Sequence, residues 1–170
     1  MSTVRLAVAM VAVSLALVLQ VSLFPHVAWQ GIVPNLCLLV VVAAALTRGA
    51  QFAAVLGFLA GVALDLAPPA DHVAGRWALA LVIVGYVAGR VRQDVKPTAV
   101  AVVGTVAACS FIGTSVFALT GLVLRDPVTG TAELLQVILV AVLWDVLLTP
   151  FVLPPVMKMF QQLEPERATA

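Results

Sequence analysis

Long apolar runs follow one another along almost the whole chain, and only short polar segments separate them. The first run, 6–24, is long enough to cross the hydrocarbon core of a bilayer, which takes ~20 helical residues. Hydrophobic residues make up 63% of the 170 residues and charged residues 10%. A soluble domain is about half apolar and a quarter charged. The sequence therefore predicts an all-α integral membrane protein with no room for a soluble catalytic domain.

Turns rich in proline, glycine and charged residues divide the apolar runs into six predicted transmembrane helices. Their predicted bounds are about 5–24, 32–47, 51–66, 76–89, 98–124 and 134–157. Together they form one compact bundle, a single domain over 1–160, and 161–170 is a short polar tail. The second and fourth runs are short for a full crossing, so re-entrant segments are the alternative for both.

The positions of the basic residues indicate an orientation. With the N-terminus in the cytoplasm, seven of the nine Lys and Arg residues fall on the inner side. The outer side then holds Arg76 and Arg125, and such a bias is typical of cytoplasmic loops. The sequence therefore predicts that both termini are cytoplasmic. We expect Arg76 at the outer interface, with its guanidinium reaching water.

Small residues recur at every fourth position of the third predicted helix and lead to an acid. These residues are Ala53, Gly57, Gly61 and Asp65. On a helix this spacing forms one stripe, and small residues let another helix approach closely inside a bilayer. The fourth helix repeats the spacing with Gly85 and Gly89. We therefore expect these two helices to pack closely, and we favour packing over ligand binding for the stripe.

Two acids are predicted at membrane depth, where an ionisable group is costly and usually faces protein or a water-filled cavity. Asp65, near the outer end of helix 3, either lies at the interface or accepts hydrogen bonds from a neighbouring helix. Arg76 or Arg125 could reach it. Asp145 is deeper, and both polar packing and a role in binding a partner or ligand stay open for it. Pro150 can kink helix 6 and free a carbonyl near Asp145.

Recognisable catalytic and metal-binding patterns are missing from the sequence. It contains no glycine-rich phosphate loop and no HExxH motif. His26 and His72 lie in predicted outer turns, and Cys37 and Cys109 lie in apolar runs without metal-ligand spacing. We therefore predict a protein that is not an enzyme, with no cofactor, no metal site and no nucleic-acid partner.

Four stretches of the chain form a pattern when they are taken in order. Pro34-Asn35-Leu36 opens helix 2, and GFLAGVALDL at 57–66 combines glycines with an aspartate. RWALALVIVGYVAGRVR at 76–92 forms helix 4 with a basic exit, and helix 6 carries a polar residue followed by proline, here Asp145 and Pro150. Together these stretches resemble the MreD family of rod shape-determining proteins, in its glycine-and-aspartate segment, its helix 4 and its helix 6. The polar residue of helix 6 is often Asn in the family, so Asp145 departs from the pattern. The resemblance covers nearly the whole chain.

The resemblance implies a non-catalytic, multi-pass subunit of the bacterial cell-elongation machinery in the plasma membrane. The implied partners are MreC, the filament protein MreB, RodA and a monofunctional penicillin-binding transpeptidase, besides membrane lipid. The family is similar in fold to the substrate-binding subunits of energy-coupling-factor transporters. A small-molecule-binding subunit of such a transporter is therefore the alternative hypothesis, and an intramembrane enzyme is a weaker one.

Overall fold

The computed structural model describes residues 3–29, 31–68, 72–94, 98–124 and 131–162. Within these ranges the chain forms six α-helices and no β-strand, which confirms the prediction of an all-α protein. The helices are α1 (Thr3–Ser22), α2 (Leu36–Arg48), α3 (Ala50–Leu66), α4 (Arg76–Asp94), α5 (Ala99–Val123) and α6 (Thr131–Gln162). A short 3-10 turn, Phe24–His26, follows α1.

Among the residues that the structure describes, three helical segments are long and apolar enough to cross a membrane. They are Arg5–His26, Ala99–Val123 and Glu133–Gln162. The apolar helices α2 and α3 are shorter, with 13 and 17 residues. By length and composition, α1, α5 and α6 therefore identify a membrane protein.

Three helices differ clearly from their predicted bounds, and one of them is α6, which covers Thr131–Gln162 instead of 134–157. α2 begins at Leu36, because Asn35 ends the preceding turn as its N-cap and accepts the N–H of Leu38 at 2.9 Å. α4 continues to Asp94 instead of ending at Gly89. The basic segment after Gly89 is thus helical, in keeping with the high helix propensity of arginine.

The helix α2 lies at the centre of the bundle. It contacts each of the other five α-helices, and all its residues over 36–45 are buried. These residues are Leu, Val and Ala apart from Cys37, so the helix is apolar on every side, as expected for a fully enclosed helix. The apolar core of the protein is therefore built around α2.

The most extensive contact between two helices joins α3 and α4. Small residues face the partner backbone along the whole antiparallel pair. Four pairs of residues face each other across the contact: Ala50 with Gly89, Ala53 with Gly85, Gly57 with Leu81, and Gly61 with Ala78. A Cβ atom added to any of these four glycines would come within 3.0 Å of partner backbone atoms. The two backbones can therefore approach this closely only because the side chains are missing.

Replacing a glycine of this interface with alanine should destabilise the protein, although alanine usually stabilises a helix. Alanine normally favours a helix over glycine by about 1 kcal/mol. We expect Gly57→Ala to lower the free energy of unfolding by about 1–3 kcal/mol, because the new methyl group meets the Leu81 backbone. The measurement is reversible unfolding of the purified protein in mixed detergent micelles, followed by circular dichroism.

Gly104→Ala is the matched control. Gly104 lies exposed in α5, and a Cβ atom there would meet nothing within 4 Å. Its replacement should leave the free energy of unfolding unchanged or raise it by up to ~1 kcal/mol. Equal effects of the two substitutions would contradict the close approach of α3 and α4.

Candidate functional site

The first candidate residue, Asp65, lies at the end of α3 and is only 3% exposed. Its carboxylate accepts three backbone N–H groups at the start of α4. Gly75 and Ala78 donate to Oδ2 at 2.8 and 3.1 Å, and Trp77 donates to Oδ1 at 3.1 Å. The His72 Nδ1 atom lies 3.7 Å from Oδ1. Asp65 therefore caps the N-terminus of the neighbouring helix.

This capping gives the buried carboxylate of Asp65 hydrogen-bond donors and a favourable electrostatic environment. The first N–H groups of a helix have no partner within it, and they carry a partial positive charge. Asp65 accepts the N–H groups of Trp77 and Ala78 in α4 and of Gly75 just before it, so both its oxygens gain hydrogen bonds. Arg125, one of the two cations predicted to reach Asp65, lies outside the described residues.

The other cation, Arg76, is 6% exposed, so the expectation that its guanidinium reaches water is wrong. Its Nε and Nη2 atoms donate to the carbonyl of Phe117 in α5, at 3.2 and 2.8 Å. The guanidinium also lies 3.9 Å from the centre of the Phe117 ring, and Trp77 stacks on that ring at 4.4 Å. A side chain at Gly121 would collide with Arg76. The start of α4 is thereby joined to α5 as well as to α3.

The second acid, Asp145, is 1% exposed in the middle of α6. Its Oδ1 accepts the backbone N–H of Asn35 at 2.8 Å, and its Oδ2 accepts the hydroxyl of Ser110 in α5 at 2.6 Å. The hydroxyl of Thr149 donates to the Asp145 carbonyl at 2.8 Å. Asp145 thus joins α6 to α5 and to the first residue before α2.

Side chains from three parts of the chain meet the N–H groups at the start of α2. Asp145 accepts from Asn35, and Asn35 itself accepts from Leu38. The Gln20 side chain of α1 accepts the N–H of Cys37 at 3.4 Å, a long hydrogen bond. Since α2 is enclosed by protein, these acceptors replace the water that an exposed helix end would bind.

Pro150 lies exposed on α6, five residues after the buried Asp145. α6 is continuous from Thr131 to Gln162 and includes Pro150, Pro154 and Pro155. Pro150 and Asp145 therefore belong to different faces of one helix. Pro150 points away from the polar cluster that surrounds Asp145.

The structure gathers the predicted site residues into two separate groups. The glycine stripe and Asp65 form one continuous contact along the α3–α4 pair. Asp145 belongs to the start of α2, with Asn35 and Ser110. Sequence reasoning did not assign Ser110 or Gln20 to these contacts. An asparagine just before an apolar run is a known N-cap signal, and it could have identified Asn35 in the sequence.

The hydrogen bonds of Asp65 and Asp145 connect neighbouring helices to one another. Both carboxylates are engaged by backbone N–H groups of neighbouring helices. Within the residues that the structure describes, no group of three His, Cys, Asp or Glu side chains could hold a metal ion. The fold and these contacts define a helical membrane protein whose buried polar groups connect its own helices.

Comparison with known proteins identifies the family. The sequence model described as rod shape-determining protein MreD matches residues 1–163. The chain therefore belongs to the MreD family, which is associated with rod shape determination. No curated protein and no solved structure matches the chain significantly.

Removal of the Asp65 carboxylate should destabilise the bundle. Asp65→Ala leaves three N–H groups at the start of α4 without their acceptor. That of Ala78 is buried, and a buried orphan costs about 1–3 kcal/mol. We expect the free energy of unfolding to fall by at least ~1 kcal/mol, with Asp65→Asn between wild type and Asp65→Ala. Glu133→Ala, which removes an exposed acid, should change it by no more than ~1 kcal/mol. A similar loss in both alanine variants would rule out the capping role.

The hydrogen bond between Asp145 and Ser110 should appear as a coupling energy. In a double-mutant cycle of Asp145→Ala and Ser110→Ala, we expect a coupling of about 0.5–2 kcal/mol in the free energy of unfolding. The same cycle with Ser14→Ala, at an exposed position of α1, should be additive. Additive effects at Ser110 would show that the two side chains do not interact.

Proposed function

We propose that this chain is a non-catalytic membrane subunit of the bacterial cell-elongation machinery. It supports cell shape and side-wall peptidoglycan synthesis through protein–protein contacts. The observation that carries the proposal is membership of the MreD family over residues 1–163. The hydrogen bonding of Asp65 and Asp145 to helix starts supports a structural use of both acids.

The proposed topology is six crossings of the bacterial plasma membrane, with both termini in the cytoplasm. The distribution of basic residues supports it, with seven of nine on the inner side. The guanidinium of Arg48 donates to the carbonyl of Phe160, so α2 and α6 end on the same side of the bundle, as this topology requires. We propose a likeness to the substrate-binding subunits of energy-coupling-factor transporters for the fold alone.

The proposed partners are other membrane and cytoskeletal members of the rod complex. MreC is the proposed direct partner, and MreB, RodA and a monofunctional penicillin-binding transpeptidase are wider members. Large apolar side chains are exposed on the outer faces of the long helices, for example Leu15 at 60% on α1 and Leu139 at 65% on α6. Lipid and the transmembrane helices of partners are the two apolar environments that suit these faces.

A bulky residue between α3 and α4 should abolish the shape function. Gly57→Leu forces the two backbones apart, since even a methyl group meets Leu81. We expect a rod-shaped bacterium depleted of its own protein to round up when it expresses this variant. Wild type should restore the rod and should bring down MreC, RodA or the transpeptidase in a mild-detergent pull-down with mass spectrometry.

Gly104→Leu is the control for size and apolarity, because Gly104 has open space around it. It should restore both cell shape and partner recovery. Full restoration by Gly57→Leu would contradict a role for the close α3–α4 contact. Recovery of ATPases and a transmembrane coupling protein with the wild type would contradict the proposed function and favour a transporter subunit.

A further inference from the structure

Three prolines interrupt the hydrogen bonding of α6 in its C-terminal half. Proline has no backbone N–H, so the carbonyl four residues earlier loses its helical donor. Pro150, Pro154 and Pro155 therefore leave the carbonyls of Val146, Pro150 and Phe151 without that donor. These three carbonyls lie within six residues of α6.

These carbonyls point towards exposed residues of the helix. A helical carbonyl points along the axis towards the residue four positions later. Here those residues are the three prolines, which are all exposed, and Phe151 beside them is 73% exposed. We call Pro150, Phe151, Pro154 and Pro155 the proline face.

The proline face lies at a depth that water does not reach easily. The carbonyl of Phe160 accepts the guanidinium of Arg48, which places that level near the end of the bundle. Phe151 lies ~14 Å and Val146 ~21 Å further along the axis, in a hydrocarbon core ~30 Å thick. An unsatisfied carbonyl costs several kcal/mol in lipid, so an occupant that donates hydrogen bonds is favoured there.

We infer that the proline face docks a transmembrane helix of another rod-complex protein. This helix carries hydroxyl, amide or guanidinium side chains that donate to the freed carbonyls. The inference rests on the proposed function, because that function supplies the membrane partner.

Two other occupants of the proline face lack the required chemistry. A lipid acyl chain has no hydrogen-bond donor. A second copy that used the same face would bring only apolar side chains to this depth, such as Leu147, Phe151 and the prolines. Polar side chains between membrane helices, by contrast, are a known source of association energy.

Replacing the prolines with alanine separates docking from folding. Alanine restores the missing N–H groups, so the variant with Pro150→Ala, Pro154→Ala and Pro155→Ala should unfold at the same or a higher temperature. Its recovery of the partner in the pull-down should nevertheless fall, by about threefold for each hydrogen bond lost and about twentyfold for all three. Phe58→Ala, at an exposed position of the shorter helix α3, should recover the partner as wild type does.

A photo-cross-linking amino acid at position 151 of the full-length protein, in living cells, identifies the occupant directly. We expect a cross-link to a transmembrane segment of a rod-complex protein, and none from the same probe at Leu119 of α5. Cross-linking only to lipid, or to a second copy of this chain, would overturn the inference. Undiminished partner recovery by the triple variant would overturn the inference alone, whereas a wild type that recovers no rod-complex protein would overturn the proposed function as well.

Discussion

The buried start of α2 is the constraint around which the bundle is arranged. α2 is enclosed by five helices, so its first N–H groups have no access to water, and each would be costly if left without an acceptor. The acceptors come from α6 through Asp145, from α1 through Gln20, and from Asn35 itself. Because each acceptor must reach the same short stretch of backbone, the positions of α1 and α6 relative to α2 are determined at one level of the bundle.

At the start of α4, as at the start of α2, a side chain from another helix accepts the first N–H groups. Asp65 of α3 accepts its N–H groups, and Arg76 connects it to the Phe117 carbonyl of α5. A buried carboxylate is costly unless it has hydrogen-bond partners or a compensating charge. At Asp65, the N–H groups and the partial positive charge of a helix N-terminus supply both. Asp65 and Asp145 thus have a structural explanation, because both accept N–H groups at the starts of neighbouring helices.

The sequence predicts contacts that depend on spacing along one helix better than contacts that depend on the fold. A small residue at every fourth position marked the face of α3 that meets α4, because helical periodicity places those residues in one line. The burial of Arg76 could not be read in this way, since it depends on where α5 places the carbonyl of Phe117. The bond of Asp145 to Ser110 joins two helices, and no spacing within either one indicates it.

The three prolines of α6 have no evident use in the interior of the bundle. Each weakens the helix relative to alanine by roughly 3 kcal/mol in a helix interior, and none of them fills the core. The helix is held by other residues, through Asp145 in its middle and through Phe160 near its end. A helix that had only to cross the membrane would be more stable with alanine or leucine at these positions. Under the inferred docking, the benefit of the prolines lies outside the fold, at the proline face where a partner helix would meet α6.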